Sequence, residues 1–225
     1  MVGTLKIIAV LTAVFVVALS AGCLIPAPEE PGSLDDIEIR EYEGEDLSSI
    51  KDFRENSIAG PQYVSPDPEI YSLRVHGLVE EEKTFTYDDV LEQFASYEKV
   101  VTMDCVEGWS VKLLWEGVLI RDIIETAGVR PEATVAIFRS VDHYSTSFFI
   151  EYFYDNDILL AHTMNGVVLP PERGFPFQLV AESKWGYKWI KWVNEIELSD
   201  DETYEGYWEQ RGYSNVGDTE DPMFD

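Results

Sequence analysis

Apolar and polar residues alternate along much of this chain, and that pattern predicts most of its strands. From residue 69 to residue 79 apolar or aromatic side chains recur at every second position, the period of a half-buried strand. Residues 86–94 read as a short helix, with Thr86 as N-cap and Asp88 and Asp89 in the first turn. Residues 100–104 form a short apolar run with β-branched positions, a strand that delivers Cys105 to a loop holding Glu107, Gly108 and Trp109. Residues 115–120 read as a turn, and 121–128 as a helix ended by Gly128. Further strands are predicted over 134–140, 147–152 and 177–181, with a short helix or turn over 155–161. The last long strand is predicted over 187–198, with Tyr187, Trp189, Lys191 and Val193 on one face and Lys188, Ile190 and Trp192 on the other. Strands outnumber the short, scattered helices, so the fold class is α+β, one domain with a mixed sheet system.

The ends follow a different pattern. Lys6 precedes an apolar run from Ile7 to Leu19, broken by Thr12 and followed by Ser20-Ala21-Gly22 and Cys23. The run is short for a membrane span and fits an export signal over 1–22. Gly22-Cys23 resembles a lipoprotein processing site, although Ser20 stands where leucine is usual; an uncleaved N-terminal anchor is the alternative. Residues 23–49 hold Pro26, Pro28, Pro31 and an acid-rich stretch, the composition of a tether. The globular domain is expected over 50–200, with an acidic, aromatic extension over 201–225. The location this implies is extracytoplasmic, tethered to the outer face of the cytoplasmic membrane.

Charge narrows the partners. Lys+Arg 16 against Asp+Glu 43 gives a net charge of −27. Such a surface repels nucleic acid and anionic lipid headgroups, so contact with a membrane is left to the N-terminal anchor or lipid. The hydrophobic content of 45% is enough for a real core in 225 residues. Two cysteines, Cys23 and Cys105, exclude a disulfide framework, and the two are not expected to pair.

The chemistry-bearing residues are few. Cys105, just past a strand end, reads as nucleophile, redox group or metal ligand, or as an inert buried thiol. His76, His143 and His162 have no partner at helical spacing and no Cys-x-x-Cys exists, which argues against a zinc site of the usual spacing. No Gly-x-Ser-x-Gly elbow and no nucleotide-binding glycine motif is present. A Cys–His nucleophilic pair, Cys105 with His143 or His162, stays open. The stretch 184–193 places Lys184, Lys188 and Lys191 together in an otherwise acidic chain. It reads either as a core strand with snorkelling lysines or as an anchor for an anionic cofactor.

Six short motifs then occur in order: Asp104-Cys105-Val106-Glu107-Gly108-Trp109, Trp115-Glu116-Gly117-Val118, Arg139-Ser140-Val141-Asp142-His143-Tyr144, the stretch 159–166, Gly174-Phe175-Pro176, and the stretch 185–192. Together they resemble the molybdopterin-binding domain of the sulfite oxidase family, which includes the bacterial periplasmic methionine-sulfoxide reductase catalytic subunit. The resemblance covers roughly residues 50–200.

The resemblance implies a molybdenum–molybdopterin cofactor and oxygen-atom transfer to or from a small substrate of the sulfite or S-/N-oxide type. It implies that Cys105 ligates molybdenum through its thiolate and that Asn56, Ser140, Arg173, Gln178, Gly186, Tyr187 and Lys188 surround the cofactor. Arg173 is also expected to be catalytic. Arg173-Gly174 stands where the family commonly has His-Gly or Asn-Gly, and Gln178 where it has arginine, so Arg173 is expected to supply the charge missing at Gln178. No Arg-Arg precedes Ile7, unlike the twin-arginine signals usual for exported molybdenum enzymes. The chain carries no haem, flavin or iron–sulfur motif, so the resemblance also implies an external electron partner, a haem protein or a membrane quinone or haem subunit. The competing reading is a cofactor-free extracellular binding module on the same fold.

Overall fold

The computed structural model describes residues 37–58, 60 and 66–224. The signal or anchor expected over 1–22, with Cys23, lies outside the described residues. Among the described residues no helix is long and apolar enough to cross a membrane.

Among the described residues twelve strands form three sheets. In chain order they are β1 (Glu41–Tyr42), β2 (Glu45–Asp46), β3 (Leu73–Gly77), β4 (Lys83–Phe85), β5 (Ser96–Asp104), β6 (Ser110–Leu119), β7 (Val135–Ser140), β8 (Ser145–Phe149), β9 (Leu159–Met164), β10 (Val167–Val168), β11 (Gln178–Val180) and β12 (Val193–Ser199). β1 and β2 pair as a small hairpin. The first large sheet runs β10-β9-β6-β5, with β11 added against β9. The second runs β4-β3-β12-β7-β8 and is mixed, because β12 lies parallel to β3 and antiparallel to β7. With the short α-helices Tyr87–Gln93, Ile120–Glu125 and Glu151–Asp155 among the described residues, this is the expected α+β architecture.

Both large sheets turn their apolar faces into one core. Val75 of β3, Met103 of β5, Trp115 of β6, Phe138 of β7, Leu160 of β9 and Ile196 of β12 belong to a single buried cluster. The helix after Thr86 starts as expected: Thr86 Oγ1 accepts from the Asp89 amide at 3.1 Å and Asp89 accepts from the Thr86 amide at 2.9 Å, a reciprocal cap.

Four expectations about elements are corrected. Residues 115–120 lie at the end of β6 and the start of the following helix, not in a turn. Residues 159–161 open β9 rather than a helix, because their side chains are buried between neighbouring strands, β6 and β11. Residues 147–152 leave the strand after Phe149 and enter the helix Glu151–Asp155. The long strand over 187–198 is instead a 3₁₀ turn, Gly186–Lys188, then an irregular stretch with Trp192 at φ 54°, then β12. The alternation of faces across 187–193 is lost with it.

Residues 37–49, expected to be part of a tether, pack on the domain. Glu38 and Leu47 are buried. Glu38 Oε1 accepts from the Ile50 amide at 2.6 Å and from Asn165 Nδ2 at 2.9 Å.

Candidate active site

Cys105 follows the last residue of β5. Its amide donates to the Trp109 carbonyl and its carbonyl accepts from the Gly108 amide, both at 2.9 Å. Residues 106–108 are therefore a three-residue hairpin loop, and Gly108 takes the left-handed φ, 85°, that the last position of such a loop requires. Asp104 bridges in parallel to Trp185, which brings the Gly186–Lys188 turn against the cysteine. A Cβ at Gly186 would lie 3.3 Å from the Asp104 carbonyl oxygen and 3.4 Å from Cys105 Cα, so glycine permits this approach.

A cavity of about 490 Å³ opens beside this contact. Cys105, Asn56, Arg173, Gln178, Gly186 and Tyr187 all line it. Ser140 does not: its hydroxyl donates to Asp142 and to the Tyr144 carbonyl, and it is Asp142 and Tyr144 that reach the wall.

Lys188 is placed behind the cavity and not in it. Its side chain is fully buried, and Nζ donates to the carbonyls of Ser147 (2.7 Å) and Asn215 (2.8 Å) and to Glu209 Oε1 (2.8 Å). An ammonium has three protons, and these three acceptors use them. Burial pushes the Lys188 pKa down, opposed by the Glu209 carboxylate. The lysine of this segment that lines the cavity is Lys191. Its Nζ donates to the Glu172 carbonyl at 3.0 Å and stands 4.4 Å from the Trp192 ring centre. Burial, then the neighbouring Arg173 guanidinium, push its pKa down to about 8. Lys188 is the position that the resemblance implies for the cofactor; the 3₁₀ turn Gly186–Lys188 directs it inward and leaves Lys191 on the wall.

Arg173 closes the 3₁₀ turn Pro171–Arg173, which Gly174 ends at φ 110°. A Cβ at Gly174 would meet those of Gln178 and Lys191 at 3.1 and 3.2 Å, so these three positions are packed together. Trp192 Nε1 donates to the Pro171 carbonyl at 2.7 Å and fixes the turn. Arg173 is 7% exposed, and its Nη2 donates to the carbonyls of Ile50 (2.8 Å) and Phe53 (2.9 Å). The guanidinium also lies 3.9 Å from the Phe53 ring centre. It therefore anchors the 50–57 segment that carries Asn56 while presenting positive charge to the cavity.

Arg54 joins Arg173 and Lys191 as cations on the wall, facing Glu55, Glu107 and Asp142 as anions. In a chain of net charge −27 this balance makes the cavity a locally favourable place for an anionic group. Arg54 and Lys191 were missed as site residues in sequence reading; for Lys191 the signal was present in the basic stretch and was assigned to the wrong lysine.

Cys105 is a free thiol, 8% exposed. Burial pushes its pKa up; a backbone hydrogen bond from Glu107 opposes this and the Glu107 charge adds to it. A thiol held protonated at neutral pH is a poor nucleophile, whereas coordination to a metal removes its proton outright. Neither His143 nor His162 lines this cavity, so no histidine stands by to act as base for Cys105.

One cavity of this α+β domain thus brings the Cys105 thiol together with three cations, Arg54, Arg173 and Lys191, and three anions, Glu55, Glu107 and Asp142. The oxidoreductase molybdopterin binding domain family matches residues 60–208, and the chain belongs to that family. It is 36% identical over 149 residues to the uncharacterized oxidoreductase YuiH of Bacillus subtilis, covering 66% of this chain and 74% of that protein. It is 31% identical over 152 residues to the putative protein-methionine-sulfoxide reductase subunit YedZ1 of Azospira oryzae, covering 67% of this chain and 57% of that protein. The sulfane dehydrogenase SoxCD of Paracoccus pantotrophus has the same fold, with a TM-score of 0.60 at 24% identity over 67% of this chain and 42% of that one. The protein is thus an oxidoreductase whose cofactor is molybdenum with molybdopterin.

The residues present fit that group. A soft thiolate from Cys105 suits molybdenum beside dithiolene sulfurs. Gly186 leaves backbone open at the thiol, where a side chain would crowd the wall. Lys191, Arg54 and Arg173 supply the positive charge that a phosphate needs.

Proposed function

We propose that this protein is an extracytoplasmic oxidoreductase that transfers an oxygen atom to or from a small substrate of the sulfite or S-/N-oxide type. When bound, the cofactor supplies the change of metal oxidation state that such a transfer needs. Cys105 would hold the metal as a thiolate, its proton having been lost to solvent. Lys191, with Arg54 and Arg173, would hold an anionic group of the cofactor, and Gly186 and Tyr187 would bound the same space. Asn56 and Gln178 offer amide donors and acceptors to the cofactor or the substrate oxygen. Lys188 and Ser140 act from behind the wall, Lys188 by fixing the turn next to Gly186 and Ser140 by orienting Asp142. Electrons are exchanged with an external haem protein or a membrane quinone or haem subunit, leaving to it when the substrate is oxidised and arriving from it when the substrate is reduced. The chain is held at the membrane by an N-terminal anchor or a lipid on Cys23.

The observation that supports this reading is the meeting of Cys105 with three cations, Arg54, Arg173 and Lys191, in one cavity of an otherwise strongly acidic protein. The test is turnover in both directions by protein purified from a molybdenum-replete native host. Sulfite-dependent reduction of an acceptor dye and sulfoxide-dependent oxidation of a reduced viologen are each followed, for wild type and Cys105→Ser. One of the two reactions is expected in the wild type and neither in the variant, with the variant's far-UV circular dichroism unchanged. Equal turnover in Cys105→Ser would remove the metal-ligand role. Fully loaded protein inert in both directions would contradict oxygen-atom transfer.

A further inference from the structure

The family match ends at residue 208, but the chain beyond it is sewn tightly to the site. The Trp185 amide donates to the Gly217 carbonyl (2.8 Å) and the Thr219 amide to the Ser183 carbonyl (3.0 Å). Tyr187 Oη donates to the Ser214 carbonyl (2.6 Å), and Lys184 pairs with Asp218 (2.6 Å). Beneath these contacts lies the buried Lys188–Glu209 pair, with Glu209 Oε1 also accepting from Thr146 at 2.6 Å. A buried ion pair is costly to form and costlier to break, so it fixes position more than it adds stability.

What the pair positions is a wall of the cavity. Glu209 starts a 3₁₀ turn, Glu209–Arg211, ended by Gly212 at φ 88°. The reversal sets Trp208 and Tyr213 face to edge, with centroids 5.3 Å apart and an interplanar angle of 62°. Tyr213 also packs edge-on against Tyr187 at 5.1 Å. Trp208 and Tyr213 both line the cavity, yet both stay half-buried, with ring surface left over. The segment that carries them has one basic side chain after residue 200, Arg211, and that guanidinium is stacked 3.8 Å from the Tyr207 ring centre.

We infer that Trp208 and Tyr213 are the specificity-determining wall of the site. They receive the aromatic or extended apolar arm of a neutral organic sulfoxide, in preference to a substrate that has no such arm. Lys188 and Glu209 are positioning residues for that wall. The inference rests on the oxygen-atom transfer proposed above and narrows its substrate.

The experiment compares methyl phenyl sulfoxide with dimethyl sulfoxide on the holoenzyme, with metal and pterin content measured for each preparation. The ratio of their kcat/KM values is expected to fall about tenfold in Trp208→Ala and in Tyr213→Ala, the equivalent of roughly 1.4 kcal/mol of lost ring contact, carried mainly by KM. Trp208→Phe should restore most of the ratio, and Glu209→Gln should lower it without touching either ring. An unchanged ratio in the Trp208→Ala, Tyr213→Ala double variant at wild-type cofactor content would overturn the inference. If the wild type reduces neither sulfoxide, the proposed reaction fails, and the wall is judged by calorimetric binding of methyl phenyl sulfone. Weaker binding in the double variant then upholds the wall, and equal binding overturns it.

Discussion

Lys188 and Lys191 belong to one short basic stretch and do different work. Lys188 gives all its protons to Ser147, Asn215 and Glu209 inside the protein, while Lys191 reaches the cavity. Removing the counter-charge should therefore be felt as lost stability. Glu209→Ala leaves a buried ammonium uncompensated, at a cost of about 3–5 kcal/mol. Thermal unfolding of purified protein should show Tm lower by roughly 10 °C on that basis. A Tm within a degree of wild type would mean that the pair is not buried as described. At this scale the sequence brings Cys105, Asn56, Arg173, Gln178, Gly186 and Tyr187 together through short motifs in order, and the six line one cavity. Ser140 and Lys188 lie within a residue or two of the wall without lining it, a distinction set by local backbone geometry that composition does not encode.

Strand β6 shows why several elements were harder to read than the residues they carry. Glu116-Gly117 signals a turn when taken alone. In the fold Gly117 sits inside β6, at the point where its pairing with β9 shifts register. A Cβ there would fall 2.3 Å from the Leu160 carbonyl oxygen, a distance no side chain tolerates. Glycine within a strand marks such a close backbone approach. Gly117→Ala should push β6 from β9 and lower stability by about 2 kcal/mol or more, read as a shift in urea midpoint at unchanged m-value. A midpoint equal to wild type would contradict the described register. The start of β9 reads as the end of a short helix or turn over 155–161 for a related reason: Leu159–Met164 is a short, largely buried run, and periodicity cannot separate that from a buried helix. The helix at Thr86, by contrast, announced itself through its cap, a local interaction that needs no tertiary partner.

At the scale of the whole molecule the site gathers segments that are far apart in the chain. The 53–58 loop, the end of β5, the Asp142–Tyr144 turn, the Arg173 turn, the 186–192 stretch and the residues after β12 all contribute. The α+β class was visible from the sequence because it depends on counting elements, whereas the role of the last segment was not, because an acidic, aromatic stretch looks like an appendage until its partners are known. The net charge of −27 sits outside a cavity whose own cations and anions are matched. The central claim is that this cavity holds molybdenum through Cys105. Metal and pterin analysis of folded protein from a molybdenum-replete native host tests it most directly. One molybdenum and one pterin per chain are expected in the wild type, with the metal lost or no longer sulfur-ligated by the protein in Cys105→Ala. Folded wild-type protein without either component, or a variant that keeps its full metal and its sulfur shell, would contradict the account.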